Sequence, residues 1–310
     1  MKPCRHYNVS GDLVENAPLG VESWFRCGGR ADLLFKPYDK DDLIHFMKQY
    51  PIREPLTILG GMANCIIRDG GVRGCVIRLG KPFAQVTTAD NLYIQAGAGA
   101  LNGSVAASAM KAGIGGLEFM SGIPGTVGGA LRMNAGAYGR EMKDVLVGLY
   151  TVDRAGQKHR LTLNDLKMSY RNTELPDRNM IMIGAIFKGQ KEDRITVKSR
   201  MNDIKAKRNN TQPIQEKTGG STFANPSAES LRRAGLCEDM RAWQVVEKVG
   251  ARGLTIGGAQ MSNQHCNFMI NTGTATASDL ENLGDEIKRR ALNDLGLSLE
   301  WEIKRIGDRL

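Results

Sequence analysis

The sequence is poor in several things that would point straight to a site. Histidine occurs four times (His6, His45, His159, His265), with no HExxH or other close ligand pair, so a metal centre is not indicated. Six cysteines (Cys4, Cys27, Cys65, Cys75, Cys237, Cys266) show no CxxC and no regular spacing. A disulfide framework is not expected in a chain long enough to build its own core. No apolar run approaches the ~18 residues of a membrane span. Met1 to Ser10 is polar with no apolar stretch of the secretory kind. A reducing cytoplasm is therefore the expected compartment. Aromatic residues are only 6% of the chain, which leaves few platforms for stacking bases.

What is present narrows the classes further. The 310 residues suffice for two or three domains, and 41% apolar with 24% charged residues argues for packed cores rather than disorder. The net charge of +9 invites a nucleic-acid reading. Yet the basic residues are scattered. Their densest groups, Lys205-Ala206-Lys207-Arg208 and Lys288-Arg289-Arg290, lie in segments with helical periodicity, where charge runs form solvated faces. No nucleic-acid partner is expected, and a field that attracts phosphate-bearing small molecules fits as well. Glycine is abundant, at 37 residues, which suits tight turns and close approach of backbone to a ligand.

Along the chain, residues 1–25 read as an irregular lead-in. Short apolar runs at Asp32–Lys36, Leu56–Leu59, Cys65–Arg68, Cys75–Leu79 and Leu92–Ala96 predict strands, and Lys40–Tyr50, with Leu43, Phe46 and Met47 at helical spacing, predicts a helix. Leu101–Ala112 predicts a helix of small residues. Val145–Asp153 and Met180–Lys188 predict strands, joined through Ser169-Tyr170-Arg171. Asp193–Arg208 predicts a polar helix with Ile195, Met201 and Ile204 as its apolar positions, and a domain boundary is expected near it. Thr211–Pro226 reads as a loop. Ser278-Asp279-Leu280-Glu281 predicts a capping box opening a helix with the stripe Leu280, Leu283, Ile287, Ala291 and a C-cap at Gly296. Alternation over Leu297–Ile303 predicts a terminal strand, with Leu299, Trp301 and Ile303 on one face and Glu300, Glu302 and Lys304 on the other.

Four glycine-bearing motifs carry the chemistry. Gly97-Ala98-Gly99-Ala100-Leu101-Asn102-Gly103 imitates a dinucleotide fingerprint, but its third glycine comes one residue late, and that spacing sets helix–sheet packing. A Rossmann fold is not expected. Gly60-Gly61-Met62-Ala63-Asn64, followed by Asp69-Gly70-Gly71, offers backbone N–H groups to phosphate, or else two tight turns with no ligand. Gly115–Gly139 holds eight glycines in twenty-five residues, including Ser121-Gly122-Ile123-Pro124-Gly125-Thr126-Val127-Gly128-Gly129 and Asn134-Ala135-Gly136-Ala137-Tyr138-Gly139. A backbone so bare, stiffened by Pro124, can lie against a flat ring system and a pyrophosphate, or allow helices to pack closely on a sheet. Gly219-Gly220-Ser221-Thr222 places a serine with no adjacent histidine to activate it, so a functional Ser221 is a proton donor rather than a nucleophile. A turn serine bonding its own backbone is the plain alternative. Arg171 and Glu302 are uninformative alone.

In order along the chain, from about Asn16 to Gly307, these motifs resemble the bacterial UDP-N-acetylenolpyruvoylglucosamine reductases, in the form with a short substrate domain. Gly60–Asn64 with Asp69-Gly70 resembles the first flavin loop, Gly116-Leu117-Glu118 through Gly139 the family's main signature, and Tyr170-Arg171 the pair carrying the catalytic arginine. Gly220-Ser221 with Phe223 and Asn225-Pro226 resembles the serine loop. Gly257-Gly258-Ala259 with His265, Asn267 and Asn271 resembles the substrate motif of the last domain, and Leu299–Ile303 the strand whose catalytic glutamate falls on Glu302.

The resemblance implies an α+β protein. A two-lobed FAD-binding domain of the vanillyl-alcohol-oxidase (PCMH) type is expected, with lobes over 26–85 and 86–205, then a smaller α/β substrate domain over 206–310. It implies FAD held by Gly60, Gly61, Met62, Ala63, Asn64, Ser121, Gly122, Ile123, Pro124, Gly125, Gly128, Gly129, Asn134, Ala135 and Gly136. It also implies substrate contacts from Tyr170, Asn225, Gln264 and His265, with Arg208 and Lys217 as further candidates for the diphosphate. NADPH reduces FAD, and flavin N5 delivers hydride to the enolpyruvyl methylene carbon. Arg171 and a protonated Glu302 stabilise charge on the substrate carboxylate, and Ser221 protonates the neighbouring carbon. A UDP-sugar and NADPH are the expected partners of a monomer, with no nucleic acid, no membrane and no metal.

Three positions depart from the pattern. Met62 and Ala63 stand where the family has Gly and Ser, Ala224 stands where it often has Lys, and Ser227–Trp243 is longer than expected, as for a lid or surface excursion. A sugar or lactone oxidase of the same fold would share the glycine loops without needing Arg171, Ser221 and Glu302. A basic α/β binding protein for nucleotide sugars or nucleic acid would bind no flavin.

Overall fold

The computed structural model describes residues 7–310, so Cys4, His6 and the start of the polar lead lie outside the described residues. The chain folds as two compact units. Among the described residues the first comprises 7–15, 33–61 and 74–207; the second comprises 16–32, 62–73 and 208–310.

The first unit contains a five-stranded sheet, antiparallel throughout. Its order is Lys158–Leu161, Leu146–Val152, Ile181–Lys188, Tyr93–Gly97, Val86–Ala89. Val and Ile in the central strands bury both faces, as fits strands covered on each side. One face is covered by the helix Asn102–Lys111, through Val105, Ala106 and Ala109, and by Val127 and Leu131 of the helix Val127–Arg132. A second core joins Phe35, Leu43, Phe46, Met47 and Ile77, around the helix Lys40–Gln49. Asp39 caps that helix by accepting from the N–H groups of Asp41 and Asp42. In the same unit Leu56–Leu59 pairs in parallel with residues 75–78 of the strand Val72–Arg78, with Leu56 opposite Cys75.

The imitation fingerprint at Gly97–Gly103 does lie between a strand and a helix, but the sheet is antiparallel. Methyl groups on Gly97 and Gly99 would meet Phe83 O at 2.0 Å and Gly80 O at 2.5 Å. Those glycines serve packing of backbone on backbone.

The second unit has a four-stranded antiparallel sheet in the order Lys217–Ser221, Phe268–Asn271, Ala259–Met261, Thr255–Ile256. The long helix Ala277–Leu295 buries Leu280, Leu283, Ile287 and Ala291 in the core of this unit, as the stripe predicted, and Gly296 ends it with φ +63°. The strand Lys304–Ile306 pairs in parallel with Cys65–Ile67.

Several local expectations require correction. The lead-in contains the strand Asp12–Ala17 and a short helix, Leu19–Glu22. Thr211–Pro226 contains the strand Lys217–Ser221, whose glycines hid it. The capping box is Thr276 with Asp279, two residues earlier than Ser278: Thr276 Oγ accepts from Asp279 N, and the Asp279 carboxylate accepts from Thr276 N. The polar helix runs Arg194–Thr211 and buries Val197 and Ile204, whereas Ile195 is 79% exposed. Leu297–Ile303 alternates in burial but forms no ladder; an isolated bridge joins Trp301 to Phe223, and pairing begins only at Lys304. Ser227–Trp243 is no surface excursion. It holds the helix Ala228–Arg233 and the start of Ala242–Lys248, and its Leu231 and Ala242 are fully buried in the core.

Candidate active site

In the first unit two glycine-rich turns meet. One leaves the strand Leu56–Leu59 as Gly60-Gly61; the other runs through Ser121–Gly129 into the helix Val127–Arg132. A methyl on Gly61 would lie 3.1 Å from Gly125 Cα, and one on Gly60 would lie 2.2 Å from Thr126 Oγ1. The Thr126 hydroxyl is buried and has no hydrogen-bond partner among the described residues. Nor does it cap its helix, whose Val127 and Gly128 N–H groups donate to Ala100 O and Ala98 O. A buried hydroxyl left so costs about 1–3 kcal/mol, which a polar ligand atom would relieve. Asn102 underlies the turn, its Nδ2 donating to Gly125 O at 3.2 Å and to Ile123 O at 3.4 Å. A cradle bare of side chains, with a buried hydroxyl awaiting a partner, fits a flavin dinucleotide.

Other members of the expected flavin set act within the protein. Ser121 Oγ donates to Glu118 O at 2.7 Å. Asn134 is fully buried with φ +38°; its Nδ2 donates to Glu141 Oε2 and Ser169 O, and its Oδ1 accepts from Lys143 N. Its amide thus holds the Ala135-Gly136 backbone in place rather than facing outward. Ala135 N donates to Ala130 O. Tyr170-Arg171 forms the two-residue turn of a hairpin between Lys167–Ser169 and Asn172–Glu174, with Ser169 opposite Asn172. Arg171 takes φ +55°, lies 5.1 Å above the Tyr170 ring, and donates from Nη1 to Gly136 O at 3.5 Å. The arginine turn therefore stands beside the main glycine signature.

In the second unit, the serine, the glutamate and the rest of the first flavin loop share one backbone network. Pairing of Lys217–Ser221 with Phe268–Asn271 shifts between Thr218 (opposite Ile270) and Ser221 (opposite Phe268), so Gly219-Gly220 is a bulge that re-aims Ser221. Gly220 has φ +81°, and a methyl on Gly219 would strike the Phe25 ring at 2.3 Å. Glycine is required at both positions. Glu302 N donates to Thr222 O at 2.9 Å, and Ala224 N donates to Glu300 O at 2.9 Å. Asn64 reaches the same strand: its Nδ2 donates to Glu302 O at 3.3 Å, and its O accepts from Lys304 N at 3.1 Å. Met62 is buried with φ +49°, a conformation that favours the glycine expected there; Ala63 is buried beside it.

The expected substrate contacts divide. Asn225 Oδ1 accepts from Ala242 N at 3.1 Å and fixes the entry to its helix. Gln264 Nε2 donates to the carbonyls of Asn209 and Asn210, each at 3.4 Å, and Arg208 Nε donates to Gln212 Oε1. Lys217 is exposed. His265 lies edge-on to Phe268 at 4.7 Å and Trp243 at 6.4 Å, and its Nδ1 accepts from Asn267 N. Burial, seconded by the Arg252 charge, lowers its pKa, so the ring is neutral at pH 7. Asn267 and Asn271, which stand in the motif that resembles the substrate motif, bond within the protein. Both are buried, Asn267 on the Phe223 backbone and Asn271 on Phe25 O, Gly273 N and Ala275 N. Thr126, Asn102 and Thr222 were missed in the sequence. Thr126 alone had a signal, as a hydroxyl between Gly125 and the pair Gly128-Gly129.

A family model described as the C-terminal domain of UDP-N-acetylenolpyruvoylglucosamine reductase matches residues 212–306, and an FAD binding domain model matches residues 31–162. A curated protein of Parvibaculum lavamentivorans named UDP-N-acetylenolpyruvoylglucosamine reductase is 48% identical over 97% of this chain and 93% of its own. One of the same name from Maricaulis maris is 47% identical over 96% of this chain and 93% of its own. The crystal structure of the reductase from Thermus caldophilus superposes with TM-score 0.77 at 29% identity, covering 96% of this chain and 98% of that one. The order of motifs, the glycine cradle and the relatives spanning nearly the whole chain agree: the chain belongs to the UDP-N-acetylenolpyruvoylglucosamine reductase family.

Proposed function

We propose that this chain reduces UDP-N-acetylenolpyruvoylglucosamine to UDP-N-acetylmuramate at the expense of NADPH, a step of peptidoglycan precursor synthesis, with Ser221, Glu302 and Arg171 as its catalytic residues. Bound FAD supplies the hydride relay, from NADPH to the enolpyruvyl methylene carbon. Gly60, Gly61, Thr126 and Gly129 hold the cofactor by bare backbone and one hydroxyl. Ser221 gives a proton to the carbon bearing the ether oxygen, which completes the lactyl ether. Arg171 carries a permanent positive charge for the substrate carboxylate, on which negative charge grows as the double bond is reduced. Glu302, in its protonated form, donates a hydrogen bond to the same carboxylate.

The observation that carries this reading is the 2.9 Å bond from Glu302 N to Thr222 O, which sets the glutamate across from the residue after Ser221. A proton donor and a carboxyl on neighbouring extended segments suit one small unsaturated acid better than the two-electron oxidation of a sugar, which needs neither. Among the described residues no helix is long and apolar enough to cross a membrane. Cys27, Cys65, Cys75 and Cys266 are buried free thiols, and burial raises the first three to about 12. Inert thiols of this kind fit a protein working in the reducing cytoplasm.

The test is the visible spectrum of the protein under anaerobic conditions. NADPH should bleach a yellow protein, and the enolpyruvyl substrate should restore the colour. A protein that bleaches and stays bleached has a different substrate; one that takes up no FAD is not a flavoenzyme.

A further inference from the structure

Beyond Ser221 the regular pairing of its strand stops, and a side chain takes over. Asn267 Oδ1 accepts from Phe223 N at 2.9 Å and Asn267 Nδ2 donates to Phe223 O at 2.9 Å, so one amide satisfies both polar groups of a single peptide residue. The Asn267 carbonyl also accepts from Thr222 N at 2.7 Å, and Thr222 Oγ1 accepts from Met269 N at 3.3 Å. From the other side, Glu302 N and Ala224 N bond to Thr222 O and Glu300 O. The segment Thr222–Phe223 is thus gripped along both edges. One edge is set by Asn267; the other carries Glu302. Ser221 immediately precedes the gripped segment.

We infer that Asn267 is a positioning residue for the protonation step: its amide stands in for a missing strand partner and fixes the register of Ser221 against Glu302. This rests on the function proposed above. Among side chains, only a neutral amide offers a carbonyl acceptor and an N–H donor joined through one carbon, as a peptide group does. Phe223 is buried, so removing the amide leaves its N–H and C=O without partners, and the segment must shift to find others. A shift of about 1 Å is enough to cost on the order of 100-fold in a step that depends on alignment.

The experiment compares the wild-type holoenzyme with Asn267→Ala and Asn267→Asp in the two half-reactions separately, by anaerobic stopped flow, together with the flavin spectrum and Tm of each. Asn267→Asp keeps the shape and the acceptor for Phe223 N–H; once ionised it loses the donor and sets a negative charge against Phe223 O, so it disturbs the same contact without opening the space that alanine leaves, and it reports even if the alanine variant does not fold. The expected result is bleaching by NADPH within about twofold of wild type, and recolouring by the enolpyruvyl substrate slowed on the order of 100-fold. The solvent deuterium isotope effect on recolouring should rise as proton delivery becomes limiting. Equal slowing of both half-reactions, or a lowered Tm with unchanged recolouring, overturns the assignment and leaves Asn267 as a core residue only. If wild type itself is not recoloured by this substrate, the functional reading fails first and takes the assignment with it.

Discussion

Glu281 offers the most direct test of how the second unit is held together. It lies in the first turns of the helix Ala277–Leu295 with its side chain 5% exposed, and three guanidinium groups surround it: Arg68 at 2.9 Å, Arg309 at 3.3 Å and Arg305 at 3.5 Å. Arg68 also donates to Gly307 O, so the cluster ties the helix to the chain end that follows Glu302. Burial pushes the Glu281 pKa up, but the hydrogen bonds and charges of Arg68 and Arg309 outweigh it, and the net displacement is downward. Glu281→Gln keeps the volume and removes the charge. Breaking a buried pair costs about 3–5 kcal/mol when the partner stays dry. Here the arginines are between 23% and 59% exposed and can rehydrate, so a loss of about 2–3 kcal/mol is expected. In thermal denaturation of the holoenzyme, a chain of 310 residues, this corresponds to a fall in Tm of roughly 3–5 °C. The sign in pH follows from the lowered pKa. The stabilisation is complete above the unfolded-state value near 4.5 and is lost as pH falls through the folded-state value below it. Wild type and Glu281→Gln should therefore differ most at neutral pH and converge in acid. A variant within 1 kcal/mol of wild type at pH 7, or a gap that widens in acid, refutes the reasoning.

Gly60→Ala should weaken FAD retention at least tenfold, because its methyl would lie 2.2 Å from the unpartnered Thr126 hydroxyl; flavin release on dilution, followed by fluorescence, measures this apart from turnover. Ser221→Ala should leave bleaching by NADPH nearly intact and slow recolouring by the enolpyruvyl substrate about 100-fold or more, as removal of a general acid does. Equal loss in both half-reactions would argue against a proton donor. Gly284→Ala tests packing against propensity. Alanine favours a helix by about 1 kcal/mol over glycine, yet its methyl would lie 2.0 Å from Trp301 Cη2. A net loss of about 1–2 kcal/mol, with a changed tryptophan fluorescence, is expected; a rise in Tm would show that Trp301 moves aside freely.

Legibility in the sequence followed the kind of contact involved. Segments whose burial repeats with a period were readable: the helix Lys40–Gln49 from Leu43, Phe46 and Met47, and the helix Ala277–Leu295 from its stripe and Gly296. Segments stabilised by particular side chains were not. Ser227–Trp243 looks like an excursion because its anchors, Leu231 and Ala242, are too widely spaced to show a period. Leu297–Ile303 alternates as a strand does, but its bonds go to Thr222, Ala224 and Asn64 rather than to a ladder, and pattern cannot distinguish the two. Among site residues, the resemblance singled out Ser221 and Glu302, whereas the bond joining their backbones passes through Thr222, a residue with no signal of its own. Asn267 and Asn271 were visible as a motif, but the direction of their amides, inward to Phe223 and Phe25, is decided by tertiary structure alone.

The glycines make the same point about evidence for a ligand. Frequency in the sequence does not separate a cradle from a close packing of chain on chain; what a side chain would meet does. At Gly97, Gly99 and Gly258 an added methyl strikes backbone at 2.0, 2.5 and 2.3 Å, so these glycines close a contact that already exists. At Gly60 the nearest atom is a hydroxyl, and at Gly129 an added methyl would lie 3.7 Å from the same hydroxyl. That hydroxyl has no partner of its own, although buried polar groups in folded proteins nearly always do. Two glycines converging on one unsatisfied donor describe a surface complete only with something polar against it. Thr126→Val, which keeps the shape and removes the hydroxyl, separates the alternatives. If the cradle holds FAD through Thr126, the variant loses flavin affinity while the apoprotein is as stable as wild type or more so, since an unsatisfied buried group has gone. An apoprotein destabilised with flavin affinity unchanged would mean that the hydroxyl serves the fold and the glycines serve packing, as they do at Gly97.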